Sequence, residues 1–284
     1  MNQPKISTIV WDLDNTVWDW VAYAAETYPA MRAVLMRATG SSRERITKLM
    51  QNYYGRAETM ESSWLVQDLD RQGVFRGIDL DRAQLISNVR EAFHTSRNRS
   101  LELYEGIDAV LHLAYEQGIN NIILSDAPAC HAASRIKHLD VEQDYFLEMH
   151  AMKDSLPEEV PGDFHEKFDG GLYGIQFPVY HLDREKPHTD LENVLNLPRE
   201  RFPKEVVIVG DSPSKDMQLA ARYGCLGIHA LWGRPDPAKI RTISEFASPS
   251  LLAKNSSVTT DIPASARIIG VEHPTQIPAL LGWE

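Results

Sequence analysis

The chain has 284 residues, of which 43% are hydrophobic and 24% charged, an ordinary globular balance that excludes wholesale disorder. Lys and Arg number 29 against 40 Asp and Glu, a formal net charge of -11 that repels phosphate backbones and disfavours general nucleic-acid binding. No apolar run approaches the ~20 residues that span a bilayer. Cys130 and Cys225 are too few for a disulfide framework or a cysteine-based zinc site. The N-terminal residues lead into a β-like run and carry no secretory h-region, so a soluble, cytoplasmic protein is expected. At ~150 residues per domain, the length suits one large domain or two small ones.

Residues 6–11, rich in β-branched side chains, predict a strand buried on both faces of a parallel sheet. It ends abruptly in Asp12-Leu13-Asp14-Asn15-Thr16. From about residue 19 to 100 the apolar spacing becomes helical. One helix is expected over 18–38, and a second opens on a capping box of Ser41 and Glu44, carries Ile46, Leu49, Met50 and Tyr53, and stops at Gly55. A third covers 60–69, and a fourth, capped by Asp81, places Leu85, Ile86, Val89 and Phe93 on one face. Such helices bury a shared core as a small bundle. Its aromatic residues, Trp18, Trp20, Tyr53, Tyr54 and Trp64, read as packing groups.

After Tyr104 helix and strand alternate: helix 107–116 ended by Gly118, strand 121–124, helix 127–138, and strands 206–209, 228–231 and 267–271. This alternation predicts right-handed crossovers and an α/β fold with a doubly wound parallel sheet. The helical block is then an insertion, giving a core of residues 1–18 and 104–284 and a helical domain of residues 19–103.

In open parallel sheets, ligands bind beyond the carboxyl ends of the strands, where strand order reverses. Four polar clusters fall at or beside such ends: Asp12/Asp14/Thr16, Ser125/Asp126, Lys186-Pro187, and Gly210-Asp211-Ser212 with Asp216. Carboxylates are hard oxygen ligands for Mg²⁺, which needs only a few protein donors. A lysine and small hydroxyls bind phosphoryl oxygens, and one more carboxylate can attack phosphorus.

These clusters, read as IVWDLDNTVWD, IILSD, Lys186-Pro187 opening a helix, and VVIVGDSPSKD, stand in the order of the four motifs of the haloacid dehalogenase (HAD) superfamily, which the chain resembles from about residue 5 to 232. A lone D-x-D-x-T would be weak, whereas four ordered motifs on suitable elements are hard to obtain by accident. The resemblance implies a Rossmann-like catalytic core in which Asp12 is the nucleophile that forms an aspartyl-phosphate. Asp14 would protonate the leaving oxygen and then activate water. Thr16, Ser125 and Lys186 would bind the phosphoryl group, with Lys186 also offsetting charge on the nucleophile. Asp12, Asp211 and the backbone carbonyl of Asp14 would hold Mg²⁺, with Asp216 acting directly or through water.

Asp14 separates the branches of the superfamily that the chain resembles: dehalogenases lack an acid there, since their leaving halide needs no proton, and phosphonatases likewise lack it. The resemblance therefore implies a phosphoric monoester hydrolase, with a phosphomutase or a noncatalytic phosphate-binding protein as alternatives. The inserted helices resemble the family's cap, which restricts access to a small phosphorylated metabolite. Asp126 stands where many relatives carry Asn and is expected to cap the next helix. Lys204 and Lys215 are weaker phosphate-site candidates than Lys186. No histidine pair has metal-ligand spacing, and His94, His112, His131 and His188 read as surface or packing residues.

The interval from Ser125 to Lys186 is longer than a strand, a helix and short loops require. Within it, residues 149–184 predict an insertion, with 173–180 as an edge strand marked by Pro178 and a hairpin flap leading to Lys186. In the tail, 235–246 reads as helix and 248–260 as loop. The last strand either completes the sheet or makes an oligomer contact, and the oligomeric state is left open.

Overall fold

The computed structural model of the chain describes residues 6–61, 64–154, 173–256 and 262–283. Strand β1 (Thr8–Trp11) is followed by helices α1 (Trp20–Thr39), α2 (Arg43–Ala57), α3 (Leu65–Arg71) and α4 (Arg82–Ser100). Then come α5 (Ile107–Glu116), β2 (Asn120–Pro128), α6 (Ala129–His138), β3 (Phe146–Met152), β4 (Val179–Leu182), α7 (Leu191–Leu195) and α8 (Phe202–Glu205). The chain continues through β5 (Val206–Gly210), α9 (Gln218–Tyr223), β6 (Leu226–Ala230), α10 (Pro237–Ser244), α11 (Pro249–Ser256), β7 (Ile268–Val271) and α12 (Ile277–Leu281). Two compact units result: residues 1–19, 102–234 and 259–284 form a sheet unit, and residues 20–101 and 235–258 a helical unit.

The sheet has seven strands in the order β4-β3-β2-β1-β5-β6-β7, and every neighbouring pair is parallel. It is doubly wound, and its order reverses at β1. All four β1 residues are buried, as expected for a central strand covered on both faces. Trp11 is fully buried, and its indole N–H donates to Asn121 Oδ1 at 2.9 Å. Register fixes where the chemistry gathers. Trp11 lies opposite both Ile123 of β2 and Val209 of β5, so Asp12, Ser125 and Gly210-Asp211 all emerge at one carboxyl edge.

The helical unit buries an apolar cluster that includes Tyr28, Leu35, Met50, Tyr54, Leu69 and Phe246. Each such side chain contributes roughly 1.5–3 kcal/mol through burial. Its charges stay at the surface in pairs such as Arg56–Asp68 and Arg82–Asp70. Arg32 and Arg97 are buried instead; Arg32 lies 4.7 Å from the Phe246 ring centroid and 3.0 Å from Glu245. Among the described residues, no helix is long and apolar enough to cross a membrane.

Several sequence expectations are corrected. Residues 235–256 pack in the helical unit, where Ile243, Phe246 and Leu251 join its core, and α11 takes up 249–256 of the expected loop, whose residues 257–260 lie outside those described. Gly55 lies inside α2; a Cβ there would meet Ser248 Cβ at 2.9 Å, so glycine serves close packing instead of helix termination. The cap of α2 is Ser42, which accepts from Arg45 N. Residues 179–182 form the parallel edge strand β4 and pair with β3, so no hairpin forms among the described residues; 155–172 of the predicted insertion lie outside them. Lys186-Pro187 does not open a helix: α7 begins at Leu191, where Asp190 caps it by accepting from Glu192 N and Asn193 N. The last strand, β7, pairs with β6 and completes the sheet.

Candidate active site

The loop after β1 turns sharply. Leu13 C=O accepts from the backbone N–H groups of Thr16 at 3.1 Å and Val17 at 2.8 Å, and Asn15 adopts a left-handed φ of 60°. Asn tolerates that region better than most residues. The turn buries Asp12 and leaves Asp14 partly exposed. Thr16 is fully buried and its hydroxyl donates to Asp12 Oδ2 at 3.1 Å, so it orients the carboxylate and does not face open solvent. Trp232 Nε1 donates to Thr16 C=O at 2.9 Å, and a Cβ on Gly233 would lie 1.7 Å from the Asn15 carbonyl oxygen. The segment after β6 thus supports the turn from outside.

Lys186 is 4% exposed, and its ammonium donates to Asp12 Oδ1 at 2.5 Å and Asp216 Oδ1 at 2.7 Å. Asp216 is delivered by a single π-helical turn, Pro213–Met217, of the kind that recurs at functional sites. Its Oδ2 accepts from Ser212 N at 3.1 Å. Gly210 makes room for it, because a Cβ there would stand 2.2 Å from Asp216 Cγ. One oxygen each from Asp12, Asp211 and Asp216 lie within 4.8 Å of one another. Asp14 contributes no side-chain oxygen to that group.

Electrostatics mark this edge as unusual. Burial pushes the Asp12 carboxyl up to about 7 although Lys186 pulls it down, and the Asp216 charge adds to the upward shift. Burial and the charges of Asp12 and Asp216 raise Asp211 well above the carboxylate range. Burial alone would lower Lys186, but Asp12, Asp216 and Asp126 hold it well above the ordinary lysine value. One ammonium therefore does not balance the buried acids. Clustered hard oxygen donors with excess negative charge fit a divalent cation such as Mg²⁺.

Asp12, Thr16, Lys186, Asp211 and Asp216, remote in sequence, converge here. Ser125 stands at the same edge, buried, its Oγ accepting from Ala127 N at 3.1 Å. Asp126 does not cap α6. It accepts from Lys186 N at 2.9 Å and Lys215 Nζ at 2.8 Å, and Lys215 also reaches Glu185 at 3.3 Å. Asp14 accepts from Trp18 Nε1 at 2.6 Å and from Arg135 Nη1 at 2.8 and 3.0 Å. Arg135 and Trp232 lie outside the four motifs, whereas Trp18 and Lys215 lie inside them as a packing group and a weaker phosphate-site candidate, and their bonds to Asp14 and Asp126 were not read from the sequence. The one legible clue was an arginine in the apolar stripe of α6, beside Ala129, Ala132, Ala133 and Ile136. Burial and the nearby Asp19, Asp211 and Asp14 push the Tyr104 phenol up.

The model of haloacid dehalogenase-like hydrolases matches residues 6–224. No curated protein sequence matches the chain. Among solved structures, a HAD phosphatase from Thermococcus onnurineus superposes with a TM-score of 0.54 at 16% identity, covering 98% of this chain and 99% of that one. A haloacid dehalogenase-like family hydrolase from Xanthomonas campestris gives a TM-score of 0.53 at 13% identity, covering 99% and 93%. A 2-haloacid dehalogenase from Pseudomonas syringae gives 0.51 at 16% identity, covering 98% of each chain. These likenesses establish a shared fold and leave the reaction to be argued from the site. Together, the matched family model and the four motif clusters meeting at one sheet edge identify the chain as a member of the haloacid dehalogenase-like hydrolases.

Proposed function

We propose that the protein is a Mg²⁺-dependent phosphoric monoester hydrolase acting on a small phosphorylated metabolite. One observation carries this reading: a buried, lysine-bound carboxylate, Asp12, is followed two residues later by a second acid on the same turn. A dehalogenase needs the first acid, and only a reaction that expels or deprotonates an oxygen needs both.

Asp12 attacks phosphorus and the ester P–O bond breaks, with Asp14 giving its proton to the departing alkoxide. A water then gives a proton to Asp14 and attacks the aspartyl-phosphate, the bond from Asp12 to phosphorus breaks, and inorganic phosphate leaves. Lys186 and Thr16 hold the Asp12 carboxylate, and Lys186 and Ser125 face the phosphoryl oxygens. Mg²⁺ held by Asp12, Asp211, the Asp14 carbonyl and, directly or through water, Asp216 would add positive charge where the phosphoryl group accumulates negative charge. Selection of small substrates is assigned to the inserted helical unit, by likeness to a family cap.

A panel of phosphorylated metabolites, assayed for phosphate release with Mg²⁺ or EDTA, tests the proposal. Release is expected only with Mg²⁺ and should fall by at least ~10⁴-fold in D12N, in line with other removed nucleophiles. Activity surviving that substitution contradicts the mechanism. Isomerisation of a sugar phosphate without net phosphate release would favour a mutase, and no turnover of any ester would favour a binding protein.

A further inference from the structure

Asp14 is held by two side chains outside both the acid cluster and the phosphate-binding set. Trp18 donates to Oδ1, and Arg135 bridges Oδ1 and Oδ2 through Nη1. Both donors are deeply buried, Trp18 at 1% and the Arg135 side chain at 2% exposure. Burying a guanidinium costs several kcal/mol unless a charge partner and good geometry offset it. Here the partner is still partly exposed, its side chain 23% accessible, so the arrangement is not a sealed core salt bridge. Arg135 rises from α6 between Ala132 and Ile136, and small Ala129, Ala132 and Ala133 leave room for its long stem on the buried face.

Asp14 thus gives the buried guanidinium a charge partner within hydrogen-bond reach. A turn residue whose carboxyl rotated freely would sample many orientations; two fixed donors on one carboxyl restrict it to few. Orientation of this kind is worth much in catalysis, since a misplacement of ~1 Å can cost about 10²-fold.

We infer that Arg135 and Trp18 are positioning residues for Asp14, fixing the carboxyl that delivers a proton to the leaving oxygen. The inference rests on the reading of Asp14 as the acid. It predicts a defect that depends on the leaving group: an aliphatic alkoxide needs the proton, whereas p-nitrophenolate leaves without it.

Glycerol 2-phosphate and p-nitrophenyl phosphate distinguish the cases when kcat/KM is measured for wild type, D14N, R135M, R135K and D14N/R135M. D14N should lose ~10²–10⁴-fold on glycerol 2-phosphate and at least tenfold less than that on p-nitrophenyl phosphate. R135M should lose roughly 10–100-fold on the aliphatic ester, with a clearly smaller loss on the aryl ester. R135K, keeping one charged donor, should recover part of the loss. The double variant should be no slower than D14N, because Arg135 acts only through Asp14.

Equal losses on both esters in D14N would overturn the acid assignment, and the inference with it. If D14N is leaving-group selective while R135M slows both esters equally, or the two losses multiply, the inference fails and the acid assignment stands. Should R135M not fold, W18F, which removes the other donor, carries the same comparison: selective loss supports the inference and equal loss overturns it.

Discussion

The sheet unit and the helical unit solve opposite problems with the same twenty residue types. At the carboxyl edge of the sheet, Asp12, Lys186, Asp216 and Arg135 are all buried, four charged groups gathered where an apolar core would be more stable. The helical unit buries tyrosines, leucines, methionines and Phe246, and keeps charge pairs such as Arg99–Glu26 at the surface. Substitutions in the first unit should thus act mainly on chemistry, and those in the second mainly on stability.

The largest expected effect sharpens this contrast. D12N should abolish phosphate release, yet in EDTA at pH 8 it should unfold at a higher temperature than wild type. The folded Asp12 carboxyl titrates near 7, above its unfolded value. A raised carboxyl contributes stability that is present below its unfolded pKa near 3.9 and lost as pH rises through about 7. The neutral Asn lacks this loss, so its advantage, a few kcal/mol at most, should appear at pH 8 and shrink toward pH 5. Calorimetric Tm values at the two pH values check it, and a D12N protein less stable than wild type at pH 8 breaks the comparison.

F246A is the counterpart in the helical unit. Phe246 is fully buried against Tyr28 and beneath Arg32. Its truncation should cost about 3–5 kcal/mol in urea unfolding, while the Tm increment produced by Mg²⁺ stays unchanged. A lost Mg²⁺ response in F246A would mean that the two units do not divide the labour in this way.

What the sequence displayed follows the same division. The acids of the sheet edge were legible because a parallel sheet sends successive strand ends to one side, so Asp12, Ser125 and Asp211 had to be neighbours whatever their partners. Arg135 was not, since a charged residue in a helix reads as solvated unless its stripe is known to be buried. β3, Phe-Leu-Glu-Met-His-Ala-Met, lacks the β-branched run that marked β1, and only its place in the sheet makes it a strand. The packing of residues 235–256 in the helical unit depends on contacts more than 150 positions away in the chain, such as Arg32–Glu245 and Gln51–Glu245, which no local periodicity encodes.

Mg²⁺ should stabilise wild type more at pH 8 than at pH 5, because protons compete for the same carboxylates. At a hundredfold excess over Kd the gain is about 2.7 kcal/mol. It should vanish in D211N, and in G210A, whose Cβ would displace the Asp216 carboxyl. A full Mg²⁺ increment in D211N would remove Asp211 from the metal site.

The smallest effect concerns Asp126. Burial favours its neutral form, but Lys186 and Lys215 outweigh burial and hold its carboxyl below the ordinary range. Asn at this position keeps an acceptor for Lys186 N and loses the charge that faces Lys215, whose own side chain is 33% exposed. With that much solvent access, D126N should cost only about 1 kcal/mol at pH 7. A depressed carboxyl contributes stability above its unfolded pKa and loses it as pH falls through the folded one. Wild type and D126N should therefore converge in acid. K215M should cost a similar amount, and D126N/K215M less than the sum, because both substitutions remove one interaction. Additive losses in urea unfolding would mean that Lys215 stabilises the loop through Glu185 and not through Asp126.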